Sequence, residues 1–206
     1  MRQTRPQPHP APLDLILTRL KEIERMVQEN MQDILTSQQL DLTRNEVTIT
    51  KGQYNRAEQT IEKWFEQLNG DVIAELDFVD KTTFAYLDSI PKSCGIHIIV
   101  SNIKGTEKIL NKAEKCSRDR PYFEMIKINK IHQRWIGSNE SFFIDLGTDL
   151  KSDALGHCTH TIRKLAPDTF KETISHFEQL WNKSEHELKQ MYGKDFSKSI
   201  VYRSGS

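Results

Sequence analysis

The chain has 206 residues, 36% hydrophobic and 28% charged, enough for one core of ordinary size plus an appendage and too apolar for a disordered chain. Its 29 basic and 29 acidic side chains cancel, which excludes a strong overall pull toward nucleic acid or an anionic membrane surface. No apolar run approaches the ~20 residues of a bilayer span, and three cysteines without a C-x-x-C behind an N-terminus lacking a signal-peptide core point to a cytoplasmic protein with free thiols.

Residues 1–12, MRQTRPQPHPAP, hold four prolines and little to bury, so a disordered leader is expected. From Leu13 the pattern becomes a heptad, with Leu13, Ile16, Leu20, Ile23, Val27, Asn30 and Ile34 on successive a and d positions. Such a seam needs a partner helix. We expect residues 13–42 to form a coiled-coil helix that makes a homodimer through 13–35; the alternative is an amphipathic helix packed on its own domain. Asn30 on the seam would fix register at a cost in stability.

DLTRNEVTITKG (41–52) breaks the heptad with β-branched alternation and a glycine, a connector with a short strand. A helix follows, with Tyr54, Ala57, Ile61, Trp64, Phe65 and Leu68 on one face. Strands are then expected over 72–79, 95–102, 122–129, 131–136 and 142–147, with helices over 81–90 and 104–117 and a further strand over 158–165. Pro167 and Asp168 open one long last helix carrying Phe170, Ile174, Phe177, Trp181 and Leu188. The domain is expected to span 43–195, and the polar 196–206 to be a flexible tail. Strands alternating with helices at this spacing imply an α/β fold with a mixed, largely parallel sheet flanked by helices. Ligands in such sheets sit beyond the C-terminal strand ends. That rule makes Asp77 and Asn102 site candidates before any motif is considered.

Charge is uneven along the chain. Residues 104–134 carry nine Lys and Arg against four acids, a block that reads either as a nucleic-acid stripe or as a solvated face. The spacing of Lys104, Lys108, Lys112 and Lys115 is that of one helix face and favours the second. HCTH (157–160) offers His157, Cys158 and His160, but two histidines three apart on a strand face opposite sides, so no metal and no cofactor are expected. His97 is read as a hydrogen-bonded core or sheet-face histidine.

The most informative stretch is IHQRWIGSNESFFIDLGTDLK (131–151). A His-x-Arg on a strand, a turn and a strand ending in glycine, after this order of elements, resembles the phospholipase D-like domains over roughly residues 70–182. Active members carry H-x-K, an Asp five residues beyond the Lys, and then G-S-x-N. Here Arg134 stands for the Lys and Asn139 for the Asp; Gly147 comes one residue late, with Thr148 for the Ser and Asp149 after it. The degenerate branch, with H-D-R and then G-x-S-L-K-D-L-G, is the closer match, and C-terminal domains of abscission proteins that carry an MIT domain share the spacing. A coil before such a domain also resembles the effector half of sugar-responsive archaeal transcription regulators, although their N-terminal winged helix is not expected here.

The resemblance implies a histidine nucleophile with a second histidine as general acid in active members. With one such His per chain, a dimer would have to bring His132 from each subunit, giving a phosphodiesterase or nuclease. Arg134 lacks the compact ammonium of a Lys. The reading is therefore a non-catalytic module that binds an anionic, phosphate-bearing ligand or partner through His132, Arg134, Asn139, Thr148, Lys151, Asp77 and Asn102. A scaffold working only through its coil is the third reading. Because an unpaired buried Arg is costly, Arg134 must meet either an outside anion or one of Asp77, Asp80, Asp145 and Asp149. The second outcome favours a structural role.

Overall fold

The computed structural model describes residues 16–27, 45–129, 131–150 and 158–204. Two units, Met1–Asp41 and Leu42–Ser206, account for the chain. In the first, residues 16–27 form helix α1. Its heptad positions Ile16, Leu20, Ile23 and Val27 stay 50–56% exposed, so the stripe is helical and uncovered. Leu13, Asn30 and Ile34, the other seam positions, lie outside the described residues.

The second unit is organised by VIAELDFV and IHIIVSNI, whose near-continuous aliphatic content suits strands covered on both faces. They form β2 (Val72–Val79) and β3 (Ile96–Ile103), parallel neighbours, with β4 (Phe123–Ile128) parallel on the far side of β3. Antiparallel strands extend the sheet: β5 (Arg134–Gly137), β6 (Phe143–Asp145), β7 (His160–Leu165) and β1 (Glu46–Ile49) beyond β2, and β8 (Lys198–Arg203) beyond β4. Among the described residues the sheet has eight strands in the order β1-β7-β6-β5-β2-β3-β4-β8.

Helices α2 (Tyr54–Phe65), α3 (Thr83–Leu87) and α4 (Thr106–Ser117) belong with the core on one face, where Ala57, Ile61, Trp64, Phe84, Leu87, Ile109 and Ala113 join Ala74, Leu76, Ile98, Val100, Met125 and Ile136. Helices α5 (Lys171–Asn182) and α6 (Glu185–Tyr192) cover the other, where Phe177, Leu180 and Leu188 join Ile99, Ile126, Trp135 and Phe143. Each fully buried side chain of this size is worth about 1.5–3 kcal/mol. Arg120, 7% exposed, locks the end of α3: its guanidinium donates to the carbonyls of Leu87, Ile90, Pro91 and Cys94, a cation where helix carbonyls need donors.

Three expectations are corrected. The tail expected over 196–206 contains β8, which pairs with β4, and Phe196 is buried beside it. The single last helix is a 3-10 turn, Pro167–Phe170, and two helices. Lys183 is extended (ψ 144°), and Ser184 starts α6 with a capping box, its hydroxyl accepting from Glu187 N while Glu187 accepts from Ser184 N. The strand expected from Ile131 starts only at Arg134. Ser101 holds Ile131 from both sides, its Oγ donating to Ile131 O and accepting from Ile131 N, so pairing with β2 begins later.

Candidate functional site

The C-terminal ends of β2 and β3 gather most of the expected residues. Arg134 opens β5 opposite Leu76 of β2. Its Nε donates to Asp149 Oδ1 at 2.7 Å, and Nη2 donates to Asp77 Oδ2 at 2.8 Å. Asn102, at the end of β3, donates from Nδ2 to the backbone oxygen and the Oδ1 of Asp77, both at 3.3 Å. His132 Nδ1 lies 3.6 Å from Asp77 Oδ1, but its side chain is 77% exposed. Asp77 and Asp149 are only 15% and 14% exposed and Arg134 34%. Burial works against the guanidinium's charge, yet the hydrogen bond and charge of Asp149, and then those of Asp77, outweigh it and raise the Arg134 pKa.

Asp149 reaches Arg134 because the turn after β6 is tight. Gly147 has φ +64°, and a Cβ there would fall 2.3 Å from Thr161 O, so only glycine fits. Leu146 N donates to Arg134 O at 2.8 Å, and Thr83 Oγ1 donates to Leu150 O, tying this turn to the start of α3. Thr148 is half-buried beside Asp149. Of the other carboxylates weighed as partners, Asp80 accepts from Thr82 N and Thr83 N, and Asp145 accepts from Gly147 N.

The cluster therefore holds two carboxylates around one guanidinium, a formal charge of −1 with His132 neutral. An incoming anion would compete with two carboxylates already in place. His132 precedes β5, so it does not share a strand face with Arg134. Alternation does hold from Arg134 onward: Trp135 packs with Phe143 on the α5 face while Ile136 joins the opposite core. Lys151 lies outside the described residues.

Asn139 is not part of this cluster. It sits in the β5–β6 turn, where β5 ends at Gly137 opposite Ile73, at the other end of β2. There it lines a cavity with Asp71, Glu140, His97, Glu178 and Trp181. His97 lies between the rings of Tyr122 (4.6 Å) and Trp181 (4.5 Å) and 3.7 Å from Glu124; burial pushes its pKa down.

Between the two ends lies a group the sequence did not mark. Glu75, in mid-β2, is fully buried, and neither carboxyl oxygen has a hydrogen-bond partner among the described residues. His176 Nδ1 of α5 is 3.7 Å from Oε1. Burial alone pushes the Glu75 carboxyl up to about 7 and lowers His176, so both are driven toward their neutral forms rather than into an ion pair.

Lys104, Lys108, Lys112 and Lys115 are exposed along and before α4, interrupted by Glu107 and Glu114. Of HCTH, His157 is outside the described residues, Cys158 is exposed and His160 Nδ1 is 3.2 Å from Cys158 O. Among the described residues no group of three or more His, Cys, Asp or Glu is arranged to hold a metal, and no helix is long and apolar enough to cross a membrane.

No protein-family model matches the chain, and no curated protein sequence does. Solved structures that match the chain include TrmBL2, an archaeal chromatin protein, at 10% identity and TM-score 0.48, covering 84% of this chain and 67% of that one. Polyphosphate kinase from Porphyromonas gingivalis matches at 11% identity and TM-score 0.41 over 69% of this chain, which spans only 23% of the kinase. The phospholipase D family member Nuc from Salmonella typhimurium matches at 9% identity and TM-score 0.44, over 66% of this chain and 95% of Nuc.

Proposed function

We propose that the chain is a non-catalytic module of phospholipase D type, self-associated through α1, in which the family's reacting position has become part of the architecture. One observation carries this reading: the Arg134 guanidinium is taken up by Asp77 and Asp149. A phosphodiester needs a cation free to hold its oxygens and a histidine oriented to attack. Here the cation is neutralised and the histidine is largely exposed. The ion-paired cluster joins β2, β5, the 147–150 turn and, through Thr83, α3. The uncovered stripe of α1 supports the self-association, since a heptad seam left in water lacks the burial that stabilises such a helix.

The test uses the full chain. Purified protein should not cleave bis-p-nitrophenyl phosphate above background, and light scattering should report a dimer that Leu20→Lys with Ile23→Lys converts to a monomer. Turnover lost in His132→Ala would overturn the non-catalytic reading, and a seam variant that stays dimeric would move the interface elsewhere.

A second reading keeps the anion. His132 and Asn102 are exposed at the same lip, with Lys104 nearby in sequence on the β3–α4 connection. A phosphate-bearing ligand or partner would contact His132 first and exchange with one carboxylate on Arg134. Thermal stabilisation by phosphate or sulfate that disappears in Arg134→Met is the result that favours it.

A further inference from the structure

At the opposite end of β2 from Arg134, the start of β2, the start of β3, the β5–β6 turn and α5 border an open cavity of about 310 Å³, with Asp71, Glu140 and Glu178 exposed at its rim. Its walls are of two kinds. Ile73, Ile174, Phe177 and Trp181 supply apolar surface, with the Trp181 ring stacked on Phe177 at 5.6 Å and 12°. Asp71, Glu140 and Glu178 supply the charge, and no Lys or Arg is among the lining residues. His97 adds a third ring, 4.5 Å from Trp181, which its lowered pKa leaves uncharged near neutral pH.

We propose that this cavity binds an organic cation, an ammonium or guanidinium on a short apolar stem. The rings supply polarisable, electron-rich surface, and the carboxylates the countercharge. Size and sign exclude other classes. The volume lies at the small end of ligand pockets and suits one amine or one basic side chain rather than a nucleotide. Three carboxylates without a cation repel phosphates and carboxylic acids. A bare metal ion does not fit either, because these carboxylates do not converge as a ligand set. The site is also held in shape. A Cβ on Gly70 (φ +71°) would fall 2.3 Å from the Glu140 Cδ, so the Glu140 carboxyl packs directly on that turn. Lys198 Nζ donates to the Leu180, Trp181 and Lys183 carbonyls and fixes the end of α5 behind the Trp181 ring.

The cavity lies outside the Arg134 cluster and stands whether or not that cluster binds anything. Full-length protein is titrated with butylammonium, butylguanidinium, butyrate and 1-butanol, followed by calorimetry and thermal shift. The two cations are expected to saturate and to weaken with added salt; butyrate and butanol are not expected to bind. Glu178→Gln, an exposed change on α5, should weaken the cations roughly threefold to tenfold without altering the unliganded melting temperature, and Trp181→Leu should weaken them further. A short peptide with one Lys or Arg separates the sources. Tighter binding by the peptide than by the butyl cations assigns the site to a partner's basic side chain, and the reverse assigns it to a small amine. No saturation by either cation, equal binding of butanol, or unchanged affinity in Glu178→Gln would overturn the proposal.

Discussion

The two ends of β2 treat charge in opposite ways. At the C-terminal end Asp77 and Asp149 meet Arg134 within hydrogen-bond distance, and four segments of chain are fastened together there. At the N-terminal end Asp71, Glu140 and Glu178 border a ring-lined cavity with no basic lining residue. The end where such sheets usually take ligands is thus ion-paired within the chain, while the opposite end presents carboxylates with no basic lining residue beside them. Charge satisfied inside a chain holds segments together, and charge left open is what a ligand can use. Glu75 sits midway, with neither solution available to it.

The largest effect is expected there. With its pKa raised from 4.5 to about 7, native Glu75 keeps a proton that the unfolded chain has already released across that window. Its contribution to stability is therefore present below about pH 4.5, falls as pH rises, and is lost above about 7. At about 1.4 kcal/mol per pKa unit the loss is roughly 3 kcal/mol. His176, lowered by burial, acts with the opposite sign, gaining stability as pH rises through its native value toward 6.5. Comparison with Glu75→Gln isolates the carboxyl. The variant should match the parent at pH 4 and melt roughly 6–12 °C higher at pH 8. Equal melting at pH 8 would mean that Glu75 has found a donor, and the contrast between the two ends would lose its midpoint.

Next comes the clamp itself. Arg134→Met leaves Asp77 and Asp149 facing each other without a cation. Losing one partner of a fully buried pair costs ~3–5 kcal/mol; with the guanidinium one-third exposed, about 2 kcal/mol is expected by denaturant unfolding in the absence of any anion. A loss below about 0.5 kcal/mol would return Arg134 to the role of a ligand cation, since surface charges behave that way.

A smaller, one-sided effect should follow Ser184→Ala. Removing this capping box costs about 1 kcal/mol and loosens the junction of α5 and α6. Because α5 carries Phe177, Glu178 and Trp181, hydrogen exchange should rise around the cavity and stay unchanged at Arg134 and Asp149. Equal loosening at both places would show that the two ends are mechanically one.

Much of this was readable in advance and some was not, for physical reasons. β2, β3, α2 and α4 announced themselves by aliphatic runs or helical spacing, and the Arg134 partners were among four carboxylates placed by strand order. β8 escaped because Ile200, Val201 and Tyr202 run together on an edge strand where Ile200 is 63% exposed, so no alternation marks it. The α5–α6 break was written as Ser184-x-x-Glu187, a start signal hidden inside a continuous apolar stripe. Asn139 was misplaced because motif spacing was measured along the chain, whereas the β5–β6 hairpin carries its turn to the far end of β2. Glu75 was passed over within an acid-rich run, since a strand buried on both faces gives no period that tells which charge is inside.

The smallest effect is expected at the residue that first drew attention. His132 precedes β5, is 77% exposed and stands 3.6 Å from Asp77, beyond a good hydrogen bond. An exposed contact of this kind contributes 0–1 kcal/mol, and salt screens it further. His132→Ala should therefore change unfolding free energy by less than about 0.5 kcal/mol, and the double variant with Arg134→Met should lose about what Arg134→Met loses alone. Such additivity would assign the cohesion of this end to Asp77, Arg134 and Asp149 and leave His132 outside the clamp. A coupling energy above about 1 kcal/mol between His132 and Arg134 would instead make them one unit. The C-terminal end would then hold an oriented histidine after all, and its contrast with the open end would have to be redrawn.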